Sequence, residues 1–136
     1  RIKHFLRLNS KMKIIAVTNN QNIYEELSSQ GYCVRYFKGD SVTVLQKARD
    51  LVMEGWILAA DALAGYNFRN NPYHTVFLQE MEGNHEVKVY DILRLEQCMH
   101  VHQRKATEKG ERIDRDYNSM DYSIAMNTFE SIKKYQ

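Results

Sequence analysis

Residues 12–60 read MKIIAVTNNQNIYEELSSQGYCVRYFKGDSVTVLQKARDLVMEGWILAA. Met12–Thr18 is a short apolar run rich in β-branched residues, the composition of a strand buried on both faces. The polar cluster Asn19-Asn20-Gln21-Asn22 favours a turn and a helix cap. Asn22 with Glu25 resembles a capping box, so the spacing predicts a helix over residues 22–30, stopped at Gly31. Tyr32–Phe37 is a second strand. After the turn Lys38-Gly39-Asp40-Ser41, with Asp40 or Ser41 as cap, Val44, Leu45, Ala48, Leu51 and Val52 share one helical face. Gly55 ends that helix and Trp56–Ala60 is a third strand. Strand and helix alternate with short connections, which argues for parallel strands joined by right-handed crossovers.

Outward from this core the pattern changes. Asp61–Tyr73 is a long loop holding the only proline. Loops of that length without regular structure are commonly functional. His74–Glu80 reads as a fourth strand, Glu82-Gly83-Asn84 as a hairpin-like turn and Val87–Tyr90 as a short fifth strand. Asp91 can cap a helix over 92–107 whose apolar face carries Ile92, Leu95, Met99 and His102. A last helix covers 115–134, with Tyr117, Met120, Ile124, Thr128, Phe129 and Ile132 on one stripe. The expectation is an α/β fold of Rossmann-like type. It is a three-layer, doubly wound, mostly parallel sheet of four to five strands with strand 1 inside, followed by two C-terminal helices. Residues 12–136 form a single domain, and the basic, apolar residues 1–11 are an N-terminal extension, added or native.

Composition sets the function classes. The 136 residues are 43% hydrophobic and 26% charged, ordinary for one globular domain. A net charge of +2 from 19 basic and 17 acidic residues is too balanced to argue for nucleic acid or an anionic membrane. No apolar run approaches the roughly 18 residues of a membrane span. Cys33 and Cys98 fit no paired motif, which suits two free thiols in a cytoplasmic protein. Cys33, within a strand, is expected to be buried and inert.

Three constellations bear on chemistry. Thr18, Asn19 and Asn20 follow strand 1 at the carboxyl edge of the sheet, where open parallel sheets bind ligands and a helix N-terminus suits an anion. The same residues are also ordinary turn and cap residues. The loop after strand 3 brings Asp61, Arg69, Asn71 and Tyr73 to that edge. Arg69 has the fork for a carboxylate or phosphate, and Asp61 is the candidate acid or base. The loop's Asn residues can equally satisfy their own backbone. His100 and His102 face different sides of a helix, and Cys98 with His102 makes two ligands where zinc wants three or four. No metal or cofactor is therefore expected. No glycine-rich nucleotide motif and no nucleophile elbow is present. The methionines of the last two helices, Met99, Met120 and Met126, suit a core or a homodimer face.

Thr18-Asn19-Asn20, the run Val44…Ala48-Arg49-Asp50-Leu51…Gly55, Leu63-Ala64-Gly65 and Asn71-Pro72-Tyr73 together resemble the GrdX family over residues 12–80. These are small proteins encoded alongside glycine and proline reductase systems of anaerobic, amino-acid-fermenting bacteria. Where the family pattern has His-Pro, this chain has Asp61-Ala62, so no role of that histidine carries over. The resemblance implies a genomic association with amino-acid reductases and little chemistry. The first reading built on it is an accessory or interaction protein of such a system, homo-oligomeric and without catalysis of its own. Two other readings stand beside it. One is a domain binding a small anionic ligand through Thr18, Asn19, Asn20, Arg69, Asn71 and Tyr73. The other is an enzyme using Asp61 in the same pocket.

Overall fold

A computed structural model describes residues 13–62, 71–80, 85–102 and 110–134. The elements run β1 (Ile14–Thr18), α1 (Gln21–Ser29), β2 (Cys33–Tyr36), α2 (Ser41–Met53), β3 (Trp56–Leu58), β4 (Thr75–Glu80), α3 (His85–His102) and α4 (Glu111–Lys134). The four strands form one sheet in the order β2-β1-β4-β3.

The alternating half behaves as its pattern predicts. β1 pairs parallel with β2, placing Thr18 beside Tyr36. β4 then enters between β1 and β3 and runs antiparallel to both. β3 therefore points the same way as β1, but two of the three strand pairings are antiparallel. The sheet is mixed, and the mostly parallel, doubly wound arrangement does not form. The reason lies in the connection. β1, β2 and β3 are each separated by a helix that returns the chain to the starting edge. The chain re-enters the sheet from the edge at which β3 ends, because β4 starts at Thr75, opposite the last residue of β1, Thr18.

Side chains alternate across the central strands and build two cores. Ile15, Val17, Val76 and Leu78 pack with Val44, Leu45, Ala48 and Leu51 of α2 and Leu95 and Met99 of α3. Ile14, Ala16 and Phe77 pack on the other face with Ile23 and Leu27 of α1 and Ala125 and Phe129 of α4. Phe129 stacks on Phe77 at 5.5 Å and takes the edge of Tyr32 at 4.7 Å. Burial of β1 is complete along its length, as its unbroken apolar run predicts.

Several local expectations are corrected. Val87–Tyr90, expected as a fifth strand, lies inside α3, which begins at His85 rather than Ile92. Asp91 is therefore not a cap. It sits within the helix, buried, and its carboxylate accepts the Leu58 N–H at 2.9 Å. That bond satisfies a backbone donor on the edge strand β3. Asn20 rather than Asn22 caps α1, accepting the Asn22 N–H on its side chain. The buried line on α4 is Tyr117, Asp121, Ala125 and Phe129, an i,i+4 series displaced from the expected stripe. Cys33 is exposed, because β2 is an edge strand whose side chains are only half covered. The Asp40 cap is as expected, its carboxylate accepting the Thr43 N–H. The turn at Glu82-Gly83-Asn84, the loop residue Arg69 and the N-terminal extension lie outside the described residues. Among the described residues no helix is long and apolar enough to cross a membrane.

Candidate functional site

Antiparallel pairing sets Thr18, the last residue of β1, directly opposite Thr75, the first of β4. The carboxyl end of β1 and the entry to β4 thus share one edge of the sheet. Thr18, Asn19, Asn20, Asn71, His74 and Thr75 are all buried there, at 6% exposure or less. Asp121 of α4 joins them, also fully buried.

The hydrogen bonds run in a defined direction. A carboxylate only accepts, so Thr75 Oγ1 donates to Asp121 Oδ2 at 3.0 Å. With its proton committed, Thr75 Oγ1 accepts from Thr18 Oγ1 at 2.8 Å. Thr18 Oγ1 in turn accepts the Asn20 N–H at 3.0 Å. Asn20 closes the circuit, donating from Nδ2 to Asp121 Oδ2 at 3.0 Å and to the Asn118 carbonyl at 3.2 Å. Asn20 thereby caps α1 with its oxygen and ties α1 to α4 with its nitrogen.

Asn19 does the same for the loops. Its Nδ2 donates to the carbonyls of Gly39 and Pro72, each at 2.8 Å, and its Oδ1 accepts the His74 N–H at 3.0 Å. Three backbone groups from two loops meet on one amide. Asn71 accepts the Tyr73 N–H at 2.8 Å, an Asx turn, and donates to the Tyr117 carbonyl on α4 at 3.0 Å. Tyr73 donates its hydroxyl to Asp114 at 2.8 Å. Partial burial, then the Asp114 carboxylate, pushes its pKa above the ordinary tyrosine value, so it stays a neutral donor.

His74 lies beneath this network. Its Nε2 is 2.9 Å from the Ala62 carbonyl, which can only accept, so that nitrogen carries the proton. The ring meets the edge of His102 of α3 at 5.1 Å. Burial, and then the neighbouring His102, lower the His74 pKa to about 3. His74 is neutral at physiological pH. His102 is buried, a core histidine, and no group of three His, Cys, Asp or Glu suited to a metal occurs among the described residues.

Of the residues expected to form a site, Thr18, Asn19, Asn20, Asn71 and Tyr73 come together. Asp61 does not join them. Its two oxygens take Arg94 Nε and Nη2 of α3 at 2.8 Å each, an exposed fork that anchors the loop to the helix. Asp121, Thr75, His74 and Asn118 were not expected. Asp121 carried one signal, since it falls in line with Tyr117, Ala125 and Phe129 at i,i+4 spacing. A carboxylate on an apolar stripe asks for a partner.

Outside this cluster, an open groove of about 610 Å³ runs between α1 and α4. Asn22, Glu25, Glu26, Ser29, Tyr122 and Ser123 line it, and Asn22 Nδ2 donates across it to Asn118 Oδ1 at 3.0 Å. Its ionisable lining is acidic.

A family model described as GrdX-like protein matches residues 15–130 of the chain. No curated protein and no solved structure matches it.

Proposed function

Because this chain belongs to the GrdX-like protein family, we propose that it is a non-catalytic accessory protein of an amino-acid reductase system of the glycine or proline type. In this reading it is a self-associating cytoplasmic protein that acts through its surfaces. One observation carries the choice against turnover. The side chains of Thr18, Asn19, Asn20, Asn71 and Thr75 are buried and bonded to each other, to Asp121 and to the backbone, so they serve the fold before any ligand. Thr18, Asn19, Asn20 and Asn71 then act as a clasp that fixes two loops and two helices. The outer groove is no better suited to an anion, since Glu25 and Glu26 border it. The free thiols Cys33 and Cys98 accord with a reducing compartment.

The test is reconstitution. The protein is mixed with purified glycine or proline reductase components, and sedimentation and reductase turnover are followed together. Complex formation, or a changed turnover rate with no turnover by the protein alone, is the expected result. No complex and no change with either system would sink the reading. The anionic-ligand reading is separated by thermal shift against phosphate, amino acids and small carboxylates. A ligand at about 100 times its Kd adds roughly 2.7 kcal/mol. A shift that disappears in Arg69→Ala would replace the accessory reading with a binding one.

A further inference from the structure

Over its first half, helix α3 is apolar on the side away from the core as well as on the side that faces it. Leu95, Cys98 and Met99 are buried in the core. On the outward side Leu93 is 61% exposed and Tyr90 69%, with Val89 beside them at 40%. A helix that meets solvent on one side carries polar residues there, and one that is apolar all round is covered all round. Four of the six large hydrophobic residues that the described surface exposes lie on the first half of this helix.

The order of polar groups along the stripe, a carboxylate at one end and an imidazole at the other, indicates what covers it. Glu86, Leu93 and His100 are spaced by seven, which places them on one narrow line, two turns apart. Glu86 and His100 are both helical, and His100 is exposed. Reversing a copy of the helix about Leu93 exchanges the two ends. Glu86 then faces the partner's His100, and His100 faces the partner's Glu86. Leu93 meets its own copy at the axis, flanked by Tyr90 and Val89. A single two-fold operation thus matches apolar with apolar and acidic with basic on both sides.

We propose that the outward face of α3 is the surface by which two copies of this chain associate, the two helices antiparallel about a two-fold axis at Leu93. The proposal rests on the self-association part of the accessory reading and names its face.

Sedimentation velocity on the full chain tests it. The unaltered protein is expected to be a dimer. Leu93→Glu buries two like charges at the axis and should weaken the dimer at least about tenfold, the scale of losing one central contact. Glu86→Lys alone should also weaken it, and Glu86→Lys with His100→Glu should restore it. These side chains point to solvent, so circular dichroism and melting should stay unchanged and separate lost association from lost folding. A monomeric unaltered protein would overturn both the face and the self-association reading. A dimer indifferent to Leu93→Glu would overturn the face alone. A dimer broken by Leu93→Glu but not rescued by the charge exchange would overturn the antiparallel register.

Discussion

Asn20 Nδ2 lies 3.0 Å from Asp121 Oδ2, a contact between residues 101 positions apart that joins the cap of α1 to the middle of α4. Both residues are fully buried, and the same Asp121 oxygen takes the Thr75 hydroxyl. Helix capping, strand pairing and the docking of α4 are therefore one unit.

Removing the acceptor should be costly. Asp121→Ala leaves Asn20 Nδ2 and Thr75 Oγ1 short of a buried acceptor, and each such loss costs about 1–3 kcal/mol. We expect about 2–4 kcal/mol of destabilisation in urea melts. Asp121→Asn keeps an acceptor oxygen and should cost clearly less.

His74 makes stability depend on pH. Its folded pKa of about 3 lies below the ordinary value of 6.5, so the unfolded chain binds the proton more readily between those limits. The contribution is complete above about pH 6.5 and is lost progressively as pH falls towards 3. The slope approaches about 1.4 kcal/mol per pH unit in that window. Buried Asp91 has a raised pKa and works in the opposite direction at acid pH. Melts at pH 7, 6 and 5 on the native protein and His74→Gln isolate the histidine. The native protein should lose more stability on acidification, and parallel curves would refute its role.

Asp91 and Asp61, bonded to Leu58 and to Arg94, should differ in effect. Asp91→Ala strips the Leu58 N–H of its acceptor at a partly buried site and should cost about 1–3 kcal/mol. Asp61→Ala breaks the exposed fork to Arg94, a pair worth about 1 kcal/mol or less. Thermal melts of the two variants compare them directly.

Glycine is required at position 39 for two reasons. Its φ is +138°, and a Cβ there would stand 2.7 Å from Thr43 Oγ1 and 3.0 Å from Thr43 Cβ. Thr43 cannot swing away freely, because its hydroxyl donates to Asp40. The Gly39 carbonyl also accepts from Asn19. Gly39→Ala should cost about 2 kcal/mol or more, combining strain and overpacking. At Gly31, φ is +87° with nothing within 4 Å of the added atom, so Gly31→Ala should cost only the strain, about 1 kcal/mol. Denaturant midpoints rank the two.

The two thiols should react unequally. Cys33 is exposed on the edge strand, while Cys98 is buried and its pKa is pushed up to about 12 by that burial. A maleimide should label one site per native chain and two after unfolding. Rapid labelling of both in the native protein would contradict the burial of Cys98.

Local pattern carried much of this fold. The β-branched run of β1, the capping Asp40, the apolar face of α2 and the stop at Gly55 each follow from side-chain size, dihedral preference or hydrogen-bonding chemistry within a few residues. So does the common direction of β1, β2 and β3, which the intervening helices impose. The meeting of Thr18, Asn19 and Asn20 with Asn71 and Tyr73 spans contacts such as Asn19 to Pro72, 53 positions apart, and depends on β4 entering beside β1. The direction and position of β4 did not follow. The apolar run of Thr75–Glu80 marks a buried strand without fixing its direction, and its place between β1 and β3 is a feature of the assembled sheet. Val87–Tyr90 had the composition of a strand and became a helix, because Asp91, Leu95 and Cys98 bury a helical face that extends it. The partner of Asp121 was equally out of reach, since a carboxylate on an apolar stripe announces a need and leaves the donor unnamed. Contacts 46 and 101 residues apart supplied Thr75 and Asn20, and these exist only once the chain has closed on itself.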